Sequence, residues 1–471
     1  MAAANVNKGL VAQRQERRQA GAPAGSNDYR TPGQRDRDRI LYSLAIRRLG
    51  SVTQVAAAGE IQLFHTRLTH SLKVAQLGRR MAEKILKELP ADVGERPARR
   101  IISTLGGLDP DVVEAAGLAH DLGHPPFGHI AERKLSGLLG SGPLGRFEGN
   151  AQSFRIITKL STGYADRTGL DLTRAVLRAV LKYPTIQGAS GVVEDPNARR
   201  RPTDIKWGVY STEGVDHAFA MQIGKPGEVT LEAQIMDWAD DISYAVHDLE
   251  DFVRAGLIPV DRLKTSDVEW RRFLGTIRAR LDDRGFTPII TEEAGRYIRS
   301  RLPFEAPYTH SLVDRNALHE LASELISRYV DQANLKGKRW ALDHTRRCEV
   351  ELLKQMTWHY VINSSALASL QRGQERVISD LFGELTNWCM EPADERRRLP
   401  SQLDYYRRFA LRDREGWRLL RRKKGKDAEQ PLVQRAVADY ISHLTEVQAL
   451  QLHRRLTGRS EGSAMEGWLR V

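Results

Sequence analysis

Residues 120–129 have the sequence His-Asp-Leu-Gly-His-Pro-Pro-Phe-Gly-His and hold three of the thirteen histidines of the chain. A helix that ends in His120-Asp121 presents an imidazole and a carboxylate side by side, and both groups suit a divalent first-row metal. The glycines and prolines that follow predict a turn, which can bring His124 and His129 back to the same pocket. Because a histidine on an apolar helix face is more often a packed core residue, this stretch alone leaves both interpretations open.

A second histidine position lies on a helix that the sequence predicts over residues 67–89. His70 shares one face of that helix with Val74, Leu77 and Met81, which repeat at helical spacing. A histidine on this apolar face is expected to be buried, where it serves either as a core residue or as a ligand.

A carboxylate-rich face lies on a further helix, predicted over residues 229–255. The face consists of Asp237, Asp240, Tyr244, Asp248 and Asp251, with no Lys or Arg among these positions. A buried carboxylate is costly unless it is paired or binds a metal, and a stable exposed face usually mixes charges of both signs. From spacing alone, a metal site and a solvated polar face stay equally open.

The composition is that of a soluble globular protein. The chain has 471 residues, 41% hydrophobic and 28% charged, which allows two or three domains or one large helical body. It has no apolar run that could span a bilayer, and residues 1–19 lack a stretch of the signal-peptide type. We therefore expect a cytoplasmic protein without a membrane partner. The two cysteines, Cys348 and Cys389, do not predict a disulfide framework and exclude a cysteine-based zinc site.

The charge is strongly basic, with a net charge of +12 and a pI of about 9.7. Either an arginine-rich solvated surface or an anionic partner such as nucleotide phosphate or nucleic acid explains this balance. Residues 417–426 concentrate basic side chains beside Trp417, which fits a nucleic-acid backbone or an effector nucleotide and equally fits a solvated helix end.

The periodicity predicts a mainly α fold. Residues 1–28 are expected to form a flexible tail, residues 29–260 a helical body, and residues 261–471 an additional helical C-terminal region. Residues 186–215 are rich in Gly, Pro and Arg and predict a long loop that could act as a lid. Short strands around residues 52–64 stay possible.

The ordered set of motifs resembles the deoxyguanosine triphosphate triphosphohydrolase family and its dGTPase-like relatives in the HD superfamily. The resemblance covers residues 29–457. It rests on the pieces RDRDRI (35–40), IRRL (46–49), TQV (53–55), TRLTHSLKVAQLGR (66–79), HDLGHPPFGH (120–129), FEGNAQ (147–152), ADDISY (239–244), QRGQERVI (371–378) and VADYI (437–441). An HD pair alone would be a weak signal, whereas this order of motifs is specific.

The resemblance implies that the body is an HD domain whose metal ligands are His70, His120, Asp121 and Asp240. The metal would be a divalent ion such as Mn or Mg. Asp241 is the rival ligand, since the helix can direct only one of the two neighbours at the metal. The family pattern has Tyr four and Asp eight residues after the ligand, which favours Asp240.

The resemblance also implies the residues that contact phosphate and move protons. His129 and Glu132 would act in proton transfer, with His124 near the phosphate. Arg67 would bind the α-phosphate, and its alternative is an ordinary surface arginine. The remaining candidates for phosphate binding are Lys182, Tyr183 and Lys206.

A third implied set selects the sugar. Gln54 and Asp248 would hydrogen-bond the 3′-hydroxyl of a deoxynucleotide, and the ring of Tyr244 would leave no room for a 2′-hydroxyl. Tyr244 could instead be a core aromatic. Asn150 is a further candidate for the pocket lining.

The implied reaction converts a dNTP and water into a deoxynucleoside and inorganic triphosphate. Members of the family are commonly homo-oligomers, often hexamers, and some need a nucleotide or single-stranded DNA as effector. Two alternatives stay open, namely an HD-type nucleotide phosphohydrolase of other specificity and a catalytically silent regulator that binds nucleotide or nucleic acid. The sequence does not indicate which base is preferred.

Overall fold

The computed structural model describes residues 2–19, 27–54, 64–88, 102–142, 144–161, 168–188, 206–225, 227–332, 335–336, 339–395, 398–420 and 426–459. The predicted mainly α class is confirmed. The helices, in chain order, are α1 (Ala2–Gln15), α2 (Pro32–Leu41), α3 (Leu44–Arg48), α4 (Arg67–Lys87), α5 (Pro110–Ala119), α6 (His129–Leu139), α7 (Gly149–Arg155), α8 (Arg174–Ala179), α9 (Gly214–Ala220), α10 (Leu231–Arg254), α11 (Val260–Thr265), α12 (Asp267–Asp283), α13 (Pro288–Arg301), α14 (Leu312–Val330), α15 (His344–Thr357), α16 (Ser365–Met390), α17 (Ser401–Arg412), α18 (Arg414–Leu419), α19 (Lys426–His443) and α20 (Glu446–Leu456).

Shorter elements join these helices. Two single turns of 3₁₀ helix span Leu49–Ser51 and Ser211–Glu213, and π-helical segments extend α7 over Ile156–Leu160 and α15 over Trp358–Ile362. The strands β1 (Leu335–Lys336) and β2 (Arg339–Trp340) form an antiparallel pair.

Helices α4, α5 and α10 pack against one another and form the centre of the core. Val74, Leu77 and Met81 are buried there, as the periodicity of α4 predicts. The contact between α4 and α5 is close because Gly117 has no side chain. A Cβ at that position would lie 2.7 Å from the Cα of Ala75. This close packing brings the helix ends that carry His70 and His120 together.

The start of α5 follows from local signals in the sequence. Asp109 is the N-cap, and its carboxylate accepts the backbone N–H of Asp111 at 2.9 Å. Pro110 occupies the first helical position, where its missing N–H costs nothing. An aspartate followed directly by a proline is a common sequence signal for the start of a helix.

The C-terminal region packs directly on the body. Helix α15 lies against α10, and α16 lies against α6, α19 and α20. The buried Arg155 at the end of α7 joins the two parts, because its guanidinium bonds Asp439 at 2.9 Å and Glu213 at 2.5 Å. The division of the chain at residue 260 stays a prediction.

The N-terminal expectation needs a correction. Residues 2–15 form α1, which packs on α8, so a flexible tail does not describe them. The physical reason is Arg14, whose buried guanidinium donates to the buried carboxylate of Glu232 at 3.1 Å. Composition alone does not reveal such a long-range pair.

Several other expectations fall partly outside the described residues. The region around residues 52–64 contains one isolated antiparallel bridge between Thr53 and Thr66, and residues 55–63 are not described. The predicted loop at 186–215 likewise includes residues 189–205, and the basic segment includes residues 421–425. Among the described helices, none is both long and apolar enough to cross a membrane.

Candidate active site

Four predicted ligands come together where α4, α5 and α10 meet. His70 extends from α4 and its Nε2 lies 3.0 Å from Oδ1 of Asp240 on α10. His120 follows the last residue of α5, and its Nε2 lies 3.5 Å from Oδ1 of Asp121 and 3.7 Å from Oδ1 of Asp240. The ligand atoms of His70, His120 and Asp121 lie within 4.8 Å of one another.

The imidazole ring of His120 has an orientation that suits a metal ligand. Its Nδ1 is 2.7 Å from the carbonyl oxygen of Gly117, which fixes Nδ1 as the donor and directs Nε2 at the carboxylates. Nε2 is buried and has no hydrogen-bond partner among the described residues. An orphaned imidazole nitrogen beside two carboxylates and a second imidazole fits a divalent cation with nitrogen and oxygen ligands.

Adjacent aspartates on α10 have different surroundings. Asp240 faces His70 and His120, whereas Oδ1 of Asp241 accepts from the ammonium of Lys354 at 2.7 Å. The helical turn therefore directs Asp240 at the candidate site and Asp241 at α15. This geometry agrees with the assignment that the spacing of Tyr244 and Asp248 favoured.

The charges in this cluster strongly stabilise one another. Burial alone would lower the pKa of His120, but Asp121 and Asp240 outweigh it and raise that pKa to about 9. Burial would raise the pKa of Asp121, but Arg67, His120 and His124 hold it well below its usual value. Burial is likewise outweighed at Asp240, chiefly by Lys182, so that its pKa is also low. Ligation of a metal by His120 requires loss of its proton.

A second group of side chains lies next to the first. Nε2 of His124 lies 3.2 Å from Oδ1 of Asp121, and its buried Nδ1 lies 3.9 Å from Oε2 of Glu132 without a hydrogen bond. Burial and the nearby Arg67, opposed by Asp121, lower the pKa of His124 to about 4. His124 is therefore neutral at pH 7.

The predicted proton-transfer pair is formed in the structure. Nδ1 of His129 donates to Oε2 of Glu132 at 2.7 Å, and the backbone N–H of Gly149 donates to Oε1 at 3.0 Å. Burial would raise the pKa of Glu132, but interactions led by the hydrogen bond from His129 outweigh burial and lower that pKa well below its usual value. The side chain of His129 is 59% exposed, so its ring borders the open side of the site.

Two predicted phosphate contacts touch the candidate ligands. Arg67 is 2% exposed and donates from Nη1 to Oδ2 of Asp121 at 2.7 Å, so it is not an ordinary surface arginine. Nζ of Lys182 lies 3.2 Å from Oδ2 of Asp240 and also pairs with Asp237. The two candidate carboxylate ligands are thus each paired with a basic side chain, Asp121 with Arg67 and Asp240 with Lys182.

Tyr183 and Lys206 lie close to each other. Lys206 is exposed, and its Nζ is 5.7 Å from the centre of the half-buried Tyr183 ring. Within the described part of the chain, neither residue forms a hydrogen bond or an ion pair with the four candidate ligands.

Two of the three candidate sugar residues, Tyr244 and Asp248, follow Asp240 along α10. The third, Gln54, lies outside that helix. Asp248 is buried, and its Oδ2 has no partner among the described residues; the same holds for Oε1 of Gln54. Tyr244 is half-buried, with Nζ of Lys354 5.8 Å from its ring centre. Asn150 instead donates to Oε1 of Glu148 at 2.7 Å and so supports the start of α7.

Several side chains at the site were not predicted. Glu148 caps α7 by accepting the N–H of Ala151 at 2.9 Å, and burial together with Glu132 raises its pKa to about 7. Its place in the FEGNAQ motif was the available signal. Lys354 comes from the C-terminal region, and the buried Arg48 comes from α3; no local pattern distinguishes either from the many other basic residues.

Comparison with known proteins gives a consistent result over nearly the whole chain. A family model described as the HD domain matches residues 67–245, and one described as a phosphohydrolase-associated domain matches residues 341–455. The chain is 34% identical to a deoxyguanosinetriphosphate triphosphohydrolase-like protein of Streptomyces coelicolor over 91% of this chain and 93% of that protein.

Two further relatives carry related descriptions. The chain is 30% identical to a deoxyguanosinetriphosphate triphosphohydrolase-like protein 1 of Mesorhizobium japonicum, over 92% of this chain and 90% of the relative. It is 41% identical to a deoxyguanosinetriphosphate triphosphohydrolase-like protein of Bifidobacterium longum, over 51% of this chain and 46% of the relative.

Proposed function

The chain belongs to the dGTPase-like family of HD-domain phosphohydrolases, and from this membership we propose that it hydrolyses deoxynucleoside triphosphates to deoxynucleosides and inorganic triphosphate. The observation that carries the proposal is the convergence of His70, His120, Asp121 and Asp240, with the buried Nε2 of His120 left without a partner. A divalent cation, Mn or Mg, is the proposed occupant of this position.

When bound, such a cation would polarise the α-phosphate and lower the pKa of a water molecule by several units. The remaining chemistry belongs to the side chains around it. Arg67, already directed at Asp121, would bind an α-phosphate oxygen with its free donors. Lys182, Tyr183 and Lys206 would bind or border the rest of the triphosphate.

Proton transfer is assigned to His129, with Glu132 as the carboxylate that orients its ring. The carboxylate is itself held by the N–H of Gly149, so the imidazole has a defined orientation at the open side of the site. The neutral His124 would contact the phosphate from the buried side.

Selection of the sugar is assigned to Tyr244 and Asp248 of α10, together with Gln54. The unpartnered Oδ2 of Asp248 would accept the one hydrogen bond that a 3′-hydroxyl donates, and the side-chain amide of Gln54 would donate to the hydroxyl oxygen. A buried acceptor without a partner is costly unless a ligand satisfies it. The ring of Tyr244 would occupy the space that a 2′-hydroxyl needs. Asn150 supports the start of α7, which we propose as its contribution to the pocket.

Other properties stay predictions from the family resemblance. These are a homo-oligomeric assembly, which is often a hexamer in the family, activation by a nucleotide or single-stranded DNA, and a cytoplasmic location. The preferred base is left to experiment.

The test is incubation of the purified chain with each dNTP and with GTP, in Mn or Mg, followed by ion-exchange separation of the products. We expect deoxynucleoside and triphosphate from dNTPs, and little turnover of GTP. Asp240→Asn should abolish turnover, because it removes a candidate ligand. Asp282→Asn, at an exposed carboxylate on α12, is the matched control and should retain it.

Two results would contradict the proposal. Release of orthophosphate or opening of a phosphodiester would indicate an HD phosphohydrolase of another specificity. Absence of turnover with every dNTP, repeated with dNTP mixtures and single-stranded DNA, would favour a regulator that binds without hydrolysis.

A further inference from the structure

Glu446, the first residue of α20, reaches two separate segments of the HD body. Its Oε1 accepts the backbone N–H of Thr53 at 2.9 Å and that of Phe127 at 3.2 Å. Its Oε2 accepts the hydroxyl of Thr53 at 2.7 Å. One carboxylate from the C-terminal region thus makes three charge-assisted hydrogen bonds to the body.

The segment at Phe127 carries the proposed proton-transfer residue. Phe127 and Gly128 have φ angles of 66° and 56°, and α6 begins at the next residue, His129. A left-handed conformation at a bulky residue such as Phe is unfavourable and persists only where the surroundings hold it. Glu446 supplies such a hold at the N–H of Phe127, two residues before His129.

The segment at Thr53 carries the proposed sugar and phosphate contacts. Thr53 precedes Gln54 directly and forms an antiparallel bridge with Thr66, which precedes Arg67. The N–H of Arg67 also donates to the carbonyl oxygen of Val52 at 3.0 Å. A displacement of Thr53 would therefore reach Gln54 and Arg67 through the backbone.

Arg48 also links the turn at residues 122–127 to the C-terminal region. Its Nη2 donates to the carbonyl oxygens of Leu122 and His124, each at 2.8 Å, and its Nη1 donates to that of Leu444 at 3.3 Å. The 122–127 turn is thus bound near its beginning to Leu444 through Arg48 and near its end to Glu446.

We propose that Glu446 is a positioning residue for the hydrolysis, through which the C-terminal region sets the relative places of His129 and of the Gln54–Arg67 side of the pocket. Glu446 does not contact the candidate ligands, so metal binding should not depend on it. This inference rests on the proposed function, because its main effect is on turnover.

The test compares Glu446→Ala and Glu446→Gln with the exposed control Glu384→Ala on α16. In Glu446→Ala we expect kcat for dNTPs to fall about 10- to 100-fold, since a displacement of about 1 Å at a reacting group has that effect. The affinity for Mn should change less than about twofold, as no candidate ligand is touched. Glu446→Gln keeps an acceptor for both N–H groups and should recover most of the turnover.

A structural readout accompanies the kinetics. Hydrogen exchange at the amides of Thr53 and Phe127 should accelerate in Glu446→Ala and stay unchanged in Glu384→Ala. Leu281→Ala, which removes a buried side chain of α12, shows what general destabilisation does to kcat.

Three results would overturn the inference. These are a wild-type kcat in Glu446→Ala, a loss of kcat no larger than that in Leu281→Ala at equal loss of thermal stability, and a loss of Mn binding that parallels the loss of turnover. A wild-type chain that hydrolyses no nucleotide would instead refute the proposed function, and the inference would fall with it.

Discussion

Gly149→Ala tests the geometry of the candidate site with the smallest possible addition. A Cβ at residue 149 would lie 2.9 Å from Cε1, 3.0 Å from Nδ1 and 3.1 Å from Nε2 of His124. Ordinary contacts between such atoms are about 3.5–4.0 Å, so the ring must withdraw by roughly 0.5–1 Å. The backbone cannot yield easily, because the N–H of Gly149 donates to Glu132.

In Gly149→Ala the expected loss of folding stability is small, whereas the expected loss of kcat is large. Overpacking costs about 1–3 kcal/mol, and replacing a helical glycine by alanine returns about 0.5–1 kcal/mol. The net loss of about 1 kcal/mol, and at most about 2.5 kcal/mol, leaves a typical domain folded. Displacement of the ring would distort the 3.2 Å contact between Nε2 of His124 and Oδ1 of Asp121. A displacement of this size lowers kcat by about 100-fold.

The assay is steady-state dNTP hydrolysis, with thermal unfolding measured on the same samples. Gly137→Ala on α6 is the matched control, because among the described residues no atom beyond its chain neighbours and its own helix backbone lies within 4 Å of its Cβ position. It should retain turnover and unfold at the same or a slightly higher temperature. A folded Gly149→Ala variant with kcat within twofold of wild type would refute the role assigned to the position of His124.

Three further predictions concern metal, pH and a buried ion pair. Mn at 100 times its Kd should stabilise the wild type by about 2.7 kcal/mol and His120→Ala hardly at all, as thermal unfolding would reveal; equal stabilisation would exclude His120 as a ligand. The pKa of Glu148, raised to about 7 mainly by burial, lies above its unfolded value, so its contribution to stability is complete below about pH 4.5 and lost as the pH rises through 7. Glu148→Gln should therefore gain stability relative to wild type across that window, by at most about 3 kcal/mol, and a constant difference in Tm between pH 4.5 and 8 would contradict this. Arg155→Ala leaves Asp439 and Glu213 buried without their cation and should cost about 3–5 kcal/mol in chemical unfolding, whereas Arg376→Ala, at a side chain that is 79% exposed, should change little; similar losses in the two would refute the burial argument.

Local patterns in the sequence predicted the helices that form the centre of the site. The apolar repeat of α4 occurs in the structure as expected, and the Asp109-Pro110 start of α5 is likewise a signal that depends only on neighbouring residues. The spacing of Tyr244 favoured Asp240 over Asp241, and the pairing of Asp241 with Lys354 agrees with that choice. The roles of these residues stay predictions until activity is measured.

Long-range contacts could not be predicted in the same way. Glu446 meets Phe127 across 319 residues, and Arg14 meets Glu232 across 218. Each is one charged side chain among many, and only the folded chain selects its partner. Composition consequently suggested a tail where the pairing of Arg14 holds a helix. For the same reason, the sequence did not predict that the C-terminal region contacts the turn at residues 120–129.

The three hydrogen bonds that Glu446 accepts from Thr53 and Phe127 have a consequence for synthesis of the protein. A ribosome adds about 5–20 residues per second, so Phe127 leaves it roughly 15–60 s before Glu446 does. Once residue 240 has been added, the nascent chain carries His70, His120, Asp121 and Asp240, and yet the turn before His129 still lacks the hydrogen bond from Phe127 to Glu446. Under the proposed function, the order of translation would delay nucleotide hydrolysis until residue 446 has been made. An mRNA that ends before codon 446 would yield a product with all four candidate ligands and little turnover.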